Sequence, residues 1–185
     1  MTTTTITPTP TPTPPTTTDQ AAVRKQLRKV RKVIASKTFA TLATTSPAGR
    51  PHVSGVLYDE VDGALWVHTM RSSRKARSIA ANPHVAVSIP FRKLPVGPPY
   101  TVQFQGTAGL VDMHDLEVVD LVATGALKTV SAHGALDEPD GVFVRIVPGR
   151  TVHSYGLGAN PIDLVRDPLH TGARTVHLDD EEGRR

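Results

Sequence analysis

Apolar positions along the chain first repeat with a helical period and then with the period of strands. Val23, Leu27, Val30 and Ile34 recur at spacings of four, three and four, which predicts an amphipathic helix starting at Asp19, a residue type that favours helix starts. Basic residues fill the opposite side, so the helix is expected to lie on a core with its charged face in water. Beyond it, 39–45 is a short apolar and β-branched run closed by the turn Ser46-Pro47-Ala48-Gly49-Arg50-Pro51. Residues 52–58 read as a second strand, 59–63 as a hairpin turn and 64–68 as its return, three strands in an antiparallel meander.

The pattern then predicts a helix over 74–80, stopped by Asn82-Pro83, and a strand over 84–89. A proline-rich loop over 90–99 leads to a long strand over 100–110, in which Gly106 and Gly109 mark bends or bulges. Apolar residues at 116, 119, 122, 123 and 127 predict a helix over 112–128, and two further strands follow at 142–147 and 150–155. Seven strands with sparse helices point to a small antiparallel barrel rather than a parallel α/β sheet. There is no internal repeat.

Composition narrows this picture. A chain of 185 residues makes one domain, and with 38% hydrophobic but only 4% aromatic residues its core must come from Val, Ala, Leu and Ile. The absence of cysteine removes disulfides, thiolate nucleophiles and cysteine-based metal sites. No apolar run has the length of about 18 residues that a membrane span needs, and the N-terminus lacks the regions of a secretory signal. A soluble, cytoplasmic protein is expected. Residues 1–18 hold eleven threonines and five prolines with almost nothing to bury, so they are expected to form a disordered tail. The domain is expected over 19–160, with a C-terminal extension over 161–185.

The net charge of +4 would suggest a nucleic-acid binder if it were spread over a face. It is not. Residues 20–37 hold Arg24, Lys25, Arg28, Lys29, Arg31, Lys32 and Lys37 without an acid. With that +7 and the −1 of Asp19, a total of +4 leaves residues 38–185 at −2. The basicity belongs to one helix, and no aromatic residue stands among its cations to stack on bases. Nucleic acid is therefore not the expected partner.

Several motifs fail on inspection. Gly156-Leu157-Gly158-Ala159-Asn160-Pro161 follows a strand, but Pro161 replaces the third glycine of a dinucleotide fingerprint and no βαβ unit surrounds it. The eight histidines show no zinc-type spacing, although His52, His68 and His84 fall on strands that the meander would bring close. No metal site is expected. Neither a nucleophile elbow nor a Walker sequence is present.

One segment carries chemistry: Val67-His68-Thr69-Met70-Arg71-Ser72-Ser73-Arg74-Lys75. Hydroxyls and cations gather where a strand ends and a helix begins, so the open amides and the positive end of the helix dipole address the same spot. Arg grips two oxyanion oxygens, Lys adds a point charge and Ser or Thr donates a neutral hydrogen bond. Such a set suits a terminal phosphate. The bland alternative is a capped helix with a wet basic face.

The order Phe39-Ala40-Thr41-Leu42-Ala43-Thr44, Gly49-Arg50-Pro51-His52-Val53, Trp66-Val67-His68-Thr69, Ser73-Arg74-Lys75, Asn82-Pro83 and Gln103-Phe104-Gln105-Gly106 resembles the pyridoxamine 5'-phosphate oxidase-like superfamily, in particular its flavin- and deazaflavin-dependent oxidoreductases. The resemblance covers 22–112 well and the strands near 142–155 loosely. It implies a mainly β fold, a six- to seven-stranded antiparallel split β-barrel, homodimeric, with FMN or alternatively the deazaflavin F420 in the groove between subunits.

Position by position, the resemblance implies that Ser73, Arg74 and Lys75 grip the cofactor phosphate with Thr69 assisting. The strand His52, Val53, Ser54, Gly55 and Val56 would lie against the ring, and the strand near Thr101 and Gln103 would come from the partner. Thr101 stands where the oxidase has glutamine. His68, beside Thr69, joins His52 as a residue near the ring, but no catalytic acid or base is assigned. The true oxidase ends in a Trp- and Arg-rich segment, whereas this chain has Trp66 as its one tryptophan and a tail of Val176-His177-Leu178-Asp179-Asp180-Glu181-Glu182. That departure argues against vitamin B6 oxidation. The expected function is hydride transfer to a small organic substrate, and the competing reading is a non-catalytic flavin or tetrapyrrole (haem or biliverdin) carrier on the same barrel.

Overall fold

The computed structural model describes residues 17–92 and 100–178. The element order is α1 (Thr17–Ser36), β1 (Phe39–Thr45), β2 (Pro51–Leu57), β3 (Asp59–Val61), β4 (Ala64–Met70), α2 (Arg74–Ala81), β5 (His84–Phe91), β6 (Tyr100–Val111), α3 (Leu116–Ala123), β7 (Gly141–Tyr155), α4 (Pro161–Arg166), α5 (Pro168–Thr171) and β8 (Ala173–His177). All strands join one antiparallel sheet in the order β2-β1-β5-β6-β7-β4-β3, and β8 adds to β7. The fold is the mainly β split barrel expected from the sequence, with eight strands among the described residues. Among the described residues no helix is long and apolar enough to cross a membrane. The expected tail falls on 1–16 outside the described residues, except that Thr17 and Thr18 already belong to α1, and most of the proline-rich loop lies outside them too.

The curled sheet closes around one core. Leu27, Val30 and Ile34 of α1 meet Leu42, Val87, Ile89, Val102, Phe104, Val144 and Val152, so the first helix plugs the barrel as its apolar spacing predicts. Val23, at the far end of that stripe, is 37% exposed. A second, smaller cluster of Trp66, Val118, Leu127, Val130 and Phe143 fills the space between α3 and the outer face of β4 and β7. Ala64 through Val67 are consequently buried at every position, because both faces of β4 are covered.

Several expectations change. The first three strands do not form a meander: after β2 the chain turns at Tyr58 and crosses to the opposite end of the sheet, where β3 and β4 pair with each other and β4 with β7. Tyr58 anchors this corner. Its amide donates to Thr38 O (2.8 Å) and its hydroxyl to Ile34 O (2.8 Å), both backbone carbonyls at the end of α1. Burial pushes the phenol well above its ordinary range. The expected hairpin turn contains the short strand β3, leaving Asp62 and Gly63 as the turn, both at positive φ.

The two expected strands at 142–147 and 150–155 are one strand, which pairs with β6 along its whole length. Their apparent break is a bulge: Phe104 faces Val152 and Gly106 faces Pro148, so residues 149–151 oppose Gln105 alone. Pro148, which has no amide to donate, is tolerated there. Gly106 is required, since a Cβ would strike the carbonyl oxygen of Val147. Gly109, expected to bend the strand, pairs regularly with Arg145.

The third helix is shorter than expected and turned the other way. Asp115 caps it by accepting from Glu117 N (2.9 Å), Val118 is its buried residue, and Leu116 and Val119 are exposed. What holds the segment after it is Asp59, whose Oδ2 accepts from Thr129 N (2.8 Å) and Val130 N (3.0 Å). Past β7, Gly156–Asn160 is a loop, not a phosphate-binding turn into a crossover helix, and Gln26 of α1 reaches it to donate to Leu157 O (2.8 Å).

Candidate functional site

The junction of β4 and α2 builds a compact polar cluster. Ser73, in extended conformation, caps α2 by accepting from Ala76 N (3.2 Å). Thr69 Oγ1 also donates to Ser73 Oγ (3.2 Å), and Lys75 Nζ donates to Thr69 Oγ1 (3.2 Å). Ser73 Oγ thus accepts twice, which frees its own proton to point away from the protein. Lys75 keeps two further donors. The first turn of α2 contains no acid to compete for its open amides.

The turn before the helix is fixed from behind. Ser72 N donates to Asp140 Oδ2 (2.9 Å), Arg71 N to Asp140 O (2.7 Å), and the Arg71 guanidinium pairs with Asp112 (3.1 Å). Hydrogen bonds from Ser72 hold the Asp140 carboxyl below the usual carboxylate range. Arg71 therefore serves the turn, while Lys75 and Arg74 have no ion-pair partner among the described residues.

Arg74 points from the same helix start into a neighbouring cavity of about 520 Å³, lined also by Arg50, His52 and Arg77. His52 is on the inward-facing side of β2 with Ser54 and Val56, and its Nδ1 and the Ser54 Oγ are buried without a hydrogen-bond partner. Val53 and Gly55 are on the outer face. There the registers align a row of small and polar side chains, Gly55–Thr41–Ser88–Gln103–His153, beside a second row, Val53–Ala43–Ala86–Gln105. The Phe39 ring lies over Gly55, where a Cβ would stand only 3.0 Å from it. A cavity of about 590 Å³ opens over much of this floor. Gln103 donates to Thr101 Oγ1 (3.3 Å) at its edge.

Of the residues singled out in the sequence, Thr69, Ser73 and Lys75 are thus in mutual contact, and Arg74 and His52 share the adjoining cavity. Val53, Gly55, Thr101 and Gln103 belong to the outer floor. His68 stands apart: it faces Phe143, ring to ring at 5.3 Å, on the side of β4 opposite to Thr69. Burial holds its imidazole below the usual range against the opposing pull of Glu138. His52, His68 and His84 do not converge, because β2, β4 and β5 are nowhere adjacent in the sheet. Sequence reasoning missed Arg77 and gave Arg50 no role. The signal for Arg77 was its i, i+3 spacing from Arg74.

The profile of the pyridoxamine 5'-phosphate oxidase family matches residues 27–152. The chain belongs to this family. The site residues named above fall within the oxidase match except His153, one residue past its end, while α4, α5 and β8 lie beyond it. No curated protein matches the chain. Among solved structures it is similar to the haem storage protein HutZ from Vibrio cholerae, with TM-score 0.60 at 18% identity, covering 71% of this chain and 95% of that one. A haem-binding protein from Mycobacterium smegmatis aligns with TM-score 0.63 at 19% identity, over 84% of this chain and 59% of that one. An FAD-binding protein from Mesorhizobium loti aligns with TM-score 0.56 at 25% identity, over 69% of this chain and 91% of that one. The oxidase-like fold is thus shared by proteins named for haem and for flavin.

Proposed function

We propose that this protein is a flavin- or deazaflavin-dependent oxidoreductase that anchors the phosphate of FMN, or alternatively F420, at the start of α2. The observation that carries the reading is the hydrogen-bonded set Thr69, Ser73 and Lys75, which fits an oxyanion: two hydroxyls, an ammonium and open helix amides converge without a carboxylate among them, and the Arg74 guanidinium lines the adjoining cavity. A bound flavin supplies hydride chemistry. The chain's own residues do the rest. Lys75 and Arg74 neutralise the phosphate, Ser73 and Thr69 orient it, and the flat outer floor around Gly55, Thr41, Ser88 and Gln103 supports a ring and excludes water from one side.

That floor is open, and a second copy of the chain is the reading's expected cover, making a homodimer with the ring in the groove. The reading takes a small organic molecule as the substrate. A second reading is a non-catalytic tetrapyrrole carrier. The haem-named neighbours favour it, as does exposed His153 in the floor cavity, with Nδ1 held by Thr175 Oγ1 at 3.0 Å.

The visible spectrum and mass of the small molecule that purifies with the protein, or that it retains after incubation with FMN, F420 and haemin together, test the choice. A flavin or deazaflavin held in preference to haemin is expected. A Soret band with displacement of flavin would overturn the proposal in favour of the tetrapyrrole reading.

A further inference from the structure

Next to the phosphate cluster the molecule holds more positive charge than one phosphate uses. The cavity at the start of α2 carries three guanidiniums, Arg50, Arg74 and Arg77, and no carboxylate. None of the three has an ion-pair or side-chain hydrogen-bond partner among the described residues. Arg74 and Arg77 share one face of α2. Arg50 is delivered by a rigid turn, in which Ser46 N donates to Arg50 O (2.9 Å) and Arg50 N to Ser46 Oγ (3.1 Å).

Three like charges around one concavity repel, so the arrangement is unfavourable until an anion enters. One of its lining residues, His52, carries an orphaned polar atom. Thr44 Oγ1, in a residue only 2% exposed, and the Nδ1 of His52, its register partner on β2, are buried without a hydrogen-bond partner, as is Ser54 Oγ two residues further along. Arginine, unlike lysine, meets an oxyanion with two parallel N–H groups, so the cavity is built for phosphate or carboxylate oxygens rather than for general positive potential.

We propose that the Arg50 and Arg77 side of this cavity is a second anion subsite, with Arg74 shared between it and the phosphate that Lys75 holds, and that the cofactor carries a second anionic group there. The shared chemistry is an extended anionic tail. The pyrophosphate of a dinucleotide flavin has it, and so does the phosphodiester-linked carboxylate tail of F420. The inference rests on the flavin reading and sharpens it: the mononucleotide fills one of the two subsites, and a longer cofactor fills both.

The test titrates the full chain and its Arg50→Gln/Arg77→Gln variant with riboflavin, FMN, FAD and F420 at one salt concentration. Cofactor fluorescence is the readout, and thermal melting checks that the variant folds. FAD or F420, whichever is the fitting source, is expected to bind the unaltered protein about tenfold or more tighter than FMN, and the variant to close that gap to about twofold while keeping its affinity for FMN. Comparison of the FAD and F420 arms identifies the source. FMN binding the unaltered protein as tightly as both longer cofactors overturns the inference, as does a gap that survives in a folded variant. If FMN still outbinds riboflavin in that case, the phosphate reading stands without the second subsite. Binding of none of the four overturns both.

Discussion

Replacing Lys75 by Met and Arg74 by Gln together removes both charges that the proposed phosphate would meet while leaving the Ser73 cap of α2 in place. Each charge-assisted contact is worth about 1.5 to 3 kcal/mol. The structure ranks the two. Lys75 is half-buried and already aimed by Thr69 at 3.2 Å, which sets it toward the upper end, whereas exposed Arg74 belongs at the lower end, where solvent screens it. The sum is about 4 kcal/mol, or roughly a thousandfold in affinity for FMN. Riboflavin, which has no phosphate, should bind the variant and the unaltered protein alike. Flavin fluorescence quenching at one salt concentration measures both, with Arg24→Ala/Arg28→Ala on the exposed face of α1 as the control for long-range charge. Equal losses from the two double variants, or a riboflavin loss matching that of FMN, would refute the assignment.

Asp59→Ala strips two backbone amides of their carboxylate partner, at 2.8 and 3.0 Å, and should cost about 3 to 5 kcal/mol, a fall in Tm of roughly 6 to 15 °C by calorimetry. His68 has its folded pKa held below the unfolded value near 6.5, so its contribution is present above that value and is lost as pH falls through it toward the folded one. Tm measured at pH 7.5 and 5.5 should therefore drop more in the unaltered protein than in His68→Gln. Ala86→Arg, placed in the middle of the outer floor, should convert a dimer to a monomer in sedimentation, and an unchanged dimer would show that the second copy docks elsewhere.

Local signals were legible in the sequence where one mechanism decided them. The bounds of β1 match because its apolar run ends at a Ser-Pro turn, and α2 starts and stops at Ser73 and Asn82 because a capping hydroxyl and a following proline set its limits. The contact of Thr69, Ser73 and Lys75 was legible for the same reason, since a strand end, a cap and three cations lie within seven residues. Long-range facts were not. Nothing local to 52–68 reveals that the chain leaves one end of the sheet and re-enters at the other.

Pro148-Gly149 reads as a turn unless the bulge opposite Gln105 is known, so one strand looked like two. The face of α3 was ambiguous because six of its eight residues, all but Glu117 and Asp120, are apolar and leave almost no polar phase, and the barrel chose Val118. The pairing of Arg50 with Arg74 and Arg77 likewise depends on a turn and a helix that only the fold brings together.

The most direct test of the central claim is the electron density of crystals grown with FMN. The account predicts phosphate density within hydrogen-bond reach, about 3 Å, of Thr69 Oγ1, Ser73 Oγ and Lys75 Nζ. A flavin whose phosphate lies elsewhere, with that cluster facing only solvent, would contradict it.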